Sequence, residues 1–249
     1  MSWKSFLQID RIEPLRLLES PFISITALGV LRLFLLLIDI YVISLTGILQ
    51  GGVTYFVYAT NWSAILNLWY LYLATILTWR NILGYDSEKD SKFIKLAYIS
   101  QEVALPASLM VVALYWTAIN PRAEFPDAIN EVSSIQNHAG SCALVLIDFT
   151  FSEMRFIPVH IVLDMIFMLA YLPVNAAYSL TVQPVYSVMT WRAWGTAVFI
   201  AAACIAIAVF YVMLWGFSKL KTKTLRSGAI ANNLHMVAVQ YEMQAARPE

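Results

Sequence analysis

Charged residues are scarce in this chain. They make up 13% of its 249 residues, where a soluble domain carries about a quarter. With 60% hydrophobic residues and a mean hydropathy of +0.67, the apolar excess must face lipid. Sixteen basic residues balance sixteen acidic ones, and a neutral chain offers nothing to a nucleic-acid partner. Only two cysteines are present, Cys142 and Cys204. Both sit in apolar runs, which excludes a disulfide framework and leaves them as small packing residues. No cleavable leader is recognisable: the first 26 residues alternate charged and apolar side chains without a compact hydrophobic region. The first spanning segment is therefore expected to direct insertion. Internal repeats and low-complexity stretches are lacking. So are Cys-x-x-Cys and His-Glu-x-x-His clusters, a Gly-x-Ser-x-Gly elbow, a phosphate-binding loop and a dinucleotide glycine motif. No metal site and no cofactor is expected.

What the chain has is long apolar runs. A spanning helix needs about 20 mostly apolar residues, and six segments qualify: 26–46, 54–79, 95–119, 135–156, 157–179 and 193–217. Runs of this length fit helices and no barrel strand. Eight tryptophans and thirteen tyrosines suit aromatic belts at two membrane interfaces. Lysine and arginine set the orientation. Thirteen fall on the N-terminal arm, the loops after segments two and four, and the tail, against Arg122 and Arg192 on the other side. Positive residues stay inside, so both termini are expected in the cytosol. The fold class is all-α, a polytopic bundle of six transmembrane helices. It divides into an amphipathic N-terminal arm (1–25), a membrane domain (26–217) and a cytosolic tail (218–249). The run Lys219-Leu220-Lys221-Thr222-Lys223 opens the tail as an anchor on anionic headgroups.

Each ionisable side chain at membrane depth costs about 2.5–3.5 kcal/mol on insertion scales, yet seven lie inward of the segment ends: Arg32, Asp39, Glu102, His138, Asp148, His160 and Asp164. The topology places Arg32, Glu102, His160 and Asp164 in the cytosolic half, with Asp148 near the middle. Asn61, His138 and Asn175 fall in the outer half. His160 and Asp164 are four residues apart and share a helix face; Arg32 can offset Glu102, Asp148 or Asp164. These five form either an ion-pair network that fixes packing or a polar, partly hydrated cavity that holds a lipid headgroup or a metal. His138 is either an interfacial histidine or a general base, with Ser141, Thr60 and Ser63 as nearby hydroxyls. A haem bridged between His138 and His160 is excluded by depth, since the two lie most of a bilayer thickness apart.

Several short motifs occur in a fixed order: Ala59-Thr60-Asn61-Trp62-Ser63, Tyr115-Trp116, Asn137-His138, Asp148, Arg155, Pro158, His160 and Pro184-Val185-Tyr186. In that order, over about residues 26–217, the chain resembles the FAR-17a/AIG1-like family, including its rolling stone branch. The resemblance implies a multi-pass protein of the endomembrane system or plasma membrane. Some animal members hydrolyse fatty acid esters of hydroxy fatty acids with a threonine and a histidine in the membrane. His138 matches that histidine. The threonine of those members falls four residues after the tryptophan matching Trp62, which here is Leu66, with Thr60 and Ser63 close by. The rolling stone branch is associated with myoblast fusion.

Two readings follow. In one, the chain is non-catalytic: a lipid-binding protein, a scaffold, or an accessory subunit of a membrane complex with membrane lipids and a protein as partners. In the other it is a lipid ester hydrolase, with Thr60 or Ser63 as nucleophile, His138 as base and Asn61 steadying the oxyanion.

Overall fold

The computed structural model describes residues 3–13, 15–85, 91–119 and 125–245, with backbone alone at 3, 4, 15 and 224–245. Lys89, Arg122 and Arg247 of the charge pattern lie outside the described residues, and the side chains of Lys4, Arg226 and His235 likewise. After two short helical turns (Trp3–Phe6 and Leu15–Leu18) come the helices α1 (Ile25–Gln50), α2 (Ala59–Ile82), α3 (Ser91–Leu114), α4 (Ala128–Ile135), α5 (Ser141–Phe151), α6 (Ile161–Thr181) and α7 (Gly195–Ala245). Two π turns extend this order. Tyr115–Ile119 prolongs α3, and Gln136–Gly140 joins α4 to α5 without a break. Among the described residues there is no strand; one isolated bridge pairs Tyr186 with Met189.

The helix limits follow local chemistry. α1 starts where the Ser24 hydroxyl accepts the Ala27 N–H at 3.2 Å, satisfying one orphan donor of the first turn. It stops at Gly51 and Gly52, both with φ of +58°, a conformation that glycine adopts without penalty. The expected second segment began at 54; the chain instead turns there through a 3₁₀ stretch, Gly52–Val57, and α2 starts at Ala59. The expected fourth segment began at 135, but helix already runs from Ala128. Its polar first turns hide it from hydropathy, and the Asp127 carboxylate caps it by accepting the Asn130 N–H at 2.8 Å. That bond holds the Asp127 carboxyl below its ordinary pKa. α7 does not end at Phe217. It continues as 51 residues of helix, because nothing between 218 and 245 breaks it.

Four helical stretches are long and apolar enough to cross a membrane: Ile25–Gln50, Ser91–Ile119, Pro158–Thr181 and Gly195–Lys223. Their outward faces leave large apolar side chains bare, among them Phe34, Ile48, Leu169, Ile205 and Met213. A water-soluble monomer does not tolerate such continuous apolar surface. The remaining two long stretches, α2 and the run from α4 to α5, are more polar. α2 packs most extensively on α3 and α1, and α3 also meets α5, α6 and α7. α2 buries Thr60, Asn61, Ser63, Asn67, Thr75 and Thr78, so the polarity that lowers its hydropathy is turned toward neighbouring helices.

The buried charges fall into separate groups. Arg32 on α1 is fully buried and forks onto Asp148 on α5, Nε to Oδ1 at 2.7 Å and Nη2 to Oδ2 at 3.2 Å. Its third nitrogen donates to Thr78 Oγ1 at 2.6 Å, and the Tyr70 hydroxyl donates to Asp148. Three helices are thereby tied at one point. Glu102 on α3 pairs with His160 and accepts the Ile157 N–H at 2.5 Å and the Tyr211 hydroxyl at 3.1 Å. His160 Nε2 donates to the Leu7 carbonyl at 2.6 Å, which pins the N-terminal arm to the bundle. The five residues expected to cluster are therefore divided. Arg32 and Asp148 form one pair and Glu102 and His160 another, while Asp164, although fully buried, has no partner within hydrogen-bonding distance. Asp39 is buried as well and lies near the Ser141 hydroxyl.

Removing one member of a buried pair strands the other charge, a loss of about 3–5 kcal/mol. Arg32→Ala is therefore expected to lower the unfolding temperature of the purified protein sharply. Arg32→Met combined with Asp148→Leu is expected to recover most of that loss, measured by thermal unfolding of the three variants in parallel.

Candidate functional site

At the end of the bundle away from the Glu102–His160 pair, a cavity of about 260 Å³ opens among α1, α2, the two π turns and the 182–194 segment. Its walls carry Gln50, Thr60, Asn61, Tyr115, His138 and Tyr186. Tyr115 lies 13 residues beyond Glu102 on α3, about 20 Å at 1.5 Å per residue, so this cavity and the charged pair occupy different depths.

Local folding explains why these side chains meet. The Gly51–Gly52 turn folds residues 52–57 back over the start of α2. There the Asn61 side chain reaches the Tyr55 carbonyl and the Trp62 indole reaches the Phe56 carbonyl, at 2.6 and 2.7 Å. Tyr171 on α6 donates to the Val57 carbonyl at 2.8 Å and accepts from Asn175, whose oxygen in turn accepts the Trp191 indole N–H at 2.7 Å. The Tyr186 hydroxyl accepts the first N–H of α2, that of Ala59, at 3.1 Å. Both π turns contribute to the cavity, Tyr115 and Ile119 from one and Asn137 and His138 from the other. A π turn costs helix regularity and recurs at functional sites; here each redirects one residue pair into the same space.

His138 is held in one tautomer. Its Nδ1 lies 2.7 Å from the Ser134 carbonyl, and a carbonyl only accepts, so Nδ1 carries the proton. Nε2 of the neutral ring is then the lone-pair nitrogen. Tyr115 stacks on the imidazole with ring centroids 3.7 Å apart and planes at 19°. The Tyr115 hydroxyl bonds Ser134 Oγ at 2.9 Å, so the base and the ring beneath it are braced from the same turn. The ring is thus fixed in orientation, without a hydrogen bond to Thr60 among the described residues.

The candidate hydroxyls separate cleanly. Thr60 lines the His138 cavity, and its Oγ1 makes no hydrogen bond among the described residues. Ser63 is buried off the cavity wall and donates to the Thr60 carbonyl at 2.8 Å. Ser141 accepts from Asn67 at 2.9 Å within a buried cluster that includes Ser108. Leu66 faces elsewhere. Six residues beyond Thr60 on a helix of 3.6 residues per turn, it joins Trp62, Trp69 and Phe167 in an apolar surface groove of about 390 Å³. Asn61 has both amide protons engaged, to Gln50 Oε1 and the Tyr55 carbonyl, each at 2.6 Å, so it has no donor left for an oxyanion.

Beside the polar cavity lies a narrow apolar compartment of about 30 Å³. It shares Thr60, Ile119 and Tyr186 with the cavity, and its far walls are Met110, Met168, Met189, Leu172 and Ala203. Methionine side chains adapt readily to an apolar guest. Thr60 thus stands where a polar space meets an apolar one.

Gln50, Asn137, Tyr115 and Ser134 are parts of this site that were not singled out by role from the sequence. Gln50 precedes the glycine pair and Asn137 precedes His138, but nothing in their spacing shows that they converge. Among the described residues no group of three His, Cys, Asp or Glu side chains is placed to hold a metal ion. No family model, no curated protein and no solved structure matches this chain.

Proposed function

We propose that the protein is an integral membrane protein of six spans with both termini cytosolic, and that its cavity binds and hydrolyses a lipid ester. One observation carries this reading: an unengaged Thr60 hydroxyl and a His138 fixed as a base share one cavity, at the junction with an apolar compartment. The resemblance to the FAR-17a/AIG1-like family supports it, with Thr60 in place of the residue at position 66.

In the proposed reaction Met110, Met168 and Met189 move aside to widen the apolar compartment, closed down to about 30 Å³ here, for the first methylenes of the acyl chain, and the carbonyl carbon comes to Thr60. His138 Nε2 takes the hydroxyl proton as Oγ1 bonds to that carbon. The ester C–O bond then breaks, and the alcohol leaves with the proton from the imidazolium. Water attacks the acyl-threonine, giving its proton to His138. The fatty acid departs and Thr60 regains a proton. Splitting one displacement into two steps is the ordinary gain of a covalent nucleophile.

A second reading rests on Leu66: a non-catalytic lipid-binding protein, scaffold or accessory subunit, in which the same cavity holds a lipid without turnover and the protein isolates with a stoichiometric partner.

In nanodiscs the parent is expected to hydrolyse long-chain esters, and Thr60→Ala and His138→Ala to lower kcat by about 10²–10⁴-fold. The two losses should be similar and not additive, because the pair acts as a unit. Either variant retaining parental turnover contradicts the mechanism. For the topology, cysteines introduced as Val53→Cys and Ser187→Cys are expected to react with an impermeant thiol reagent on intact cells, and Ser5→Cys only after permeabilisation. Equal labelling of all three contradicts the assigned orientation.

A further inference from the structure

A line of three side-chain amides crosses the wall of the cavity, and its polarity is dictated by one backbone group. The Tyr55 carbonyl only accepts, so the Asn61 side-chain atom 2.6 Å from it is the nitrogen Nδ2. That nitrogen also faces Gln50 at 2.6 Å, so the facing atom of Gln50 is the oxygen Oε1. The other arm of Asn61, Oδ1, must then face a donor, and Asn137 Nδ2 lies 2.7 Å away. The relay runs from Asn137 through Asn61 to Gln50. It leaves the Gln50 NH₂ group at its end with no partner among the described residues. Asn61 and Asn137 are buried behind it, whereas Gln50 is exposed and lines the cavity.

We propose that the Gln50 side-chain amide is the donor that receives the carbonyl oxygen of the bound acyl lipid. The proposal deepens the reading that this cavity takes an acyl lipid and does not depend on turnover. Three features point the same way. Hydrogen bonds in series polarise one another in a medium of low dielectric, which makes the last donor stronger. Asn61 has no free N–H, so it cannot fill this role itself. Among the described residues no lysine or arginine lines the cavity, which suits the oxygen of a neutral ester. During hydrolysis the same N–H group faces the oxygen on which negative charge develops, where a fixed donor acts most strongly. Gln50 binds the reacting group directly and so counts as a catalytic residue of the proposed reaction.

The test is Gln50→Glu in nanodiscs. Glutamate keeps an oxygen to accept from Asn61, loses the N–H donors and adds a negative charge that repels a carbonyl oxygen, and the position is exposed, so folding is expected to be unchanged by thermal unfolding. The probes are undecyl methyl ketone, which has the carbonyl but no leaving group, and the alkane of equal length. The parent is expected to bind the ketone about three- to tenfold more tightly than the alkane, the size of one net hydrogen bond, and the variant to show no preference. With a long-chain ester the variant is expected to lose about 10²-fold or more in kcat with KM little changed. A parent without ketone preference, or a variant that keeps it, overturns the proposal. A ketone preference that is lost on substitution, in a protein that hydrolyses no ester, supports the carbonyl site and removes the hydrolase reading instead.

Discussion

Inside an apolar bundle a polar group has no water to turn to, and the bidentate contact between Arg32 and Asp148 is where this protein meets that constraint most directly. The guanidinium is fully buried and its nitrogens reach Asp148 and Thr78, while Tyr70 adds a donor to the same carboxylate. A fork of parallel hydrogen bonds is directional, so the contact fixes how α1, α2 and α5 sit against one another. Everything at the far end of those helices inherits that register. Gln50 is the last residue of α1, Thr60 and Asn61 open α2, and His138 lies in the turn that leads into α5. The Glu102–His160 pair does similar work among α3, the start of α6 and the N-terminal arm.

The polar groups of the cavity follow the same rule with one difference. Asn61, Tyr171, Asn175 and Trp191 are engaged by neighbours, so they hold the wall in place. Thr60 Oγ1, the lone-pair nitrogen of His138 and the Gln50 NH₂ group are left over, and all three residues line one space. A nucleophile, a base and a donor without hydrogen-bond partners among the described residues, all on the wall of one cavity, are the physical basis for the proposed chemistry.

Much of the helical framework could be read from the sequence, because long apolar runs and few charges leave little else to build. The Ile157 start of segment five falls next to the Pro158 turn that precedes α6, and the first segment differs from α1 by a few residues. Hydropathy failed where polarity is structural. It missed 128–134, where Asn130, Glu131, Ser133 and Ser134 form the first turns of α4, and it placed 54–58 inside a helix although the glycine pair at 51–52 turns the chain. The candidate residues Thr60 and His138 were visible as residue types in an unusual place. Their sharing of a cavity was not, since it depends on π turns that no sequence period signals. The five buried charges were counted correctly as unusual, but their pairing is a matter of three-dimensional register: Arg32 meets Asp148, 116 residues away, and Asp164 meets nothing within hydrogen-bonding distance.

The most direct test of the central claim is to react the protein with a long-chain fluorophosphonate in nanodiscs and map the adduct by mass spectrometry. The account predicts a single phosphonylated residue, Thr60, and little labelling when His138 is replaced by alanine. Labelling at another residue, or an ester hydrolase activity that survives without any adduct at Thr60, would contradict it.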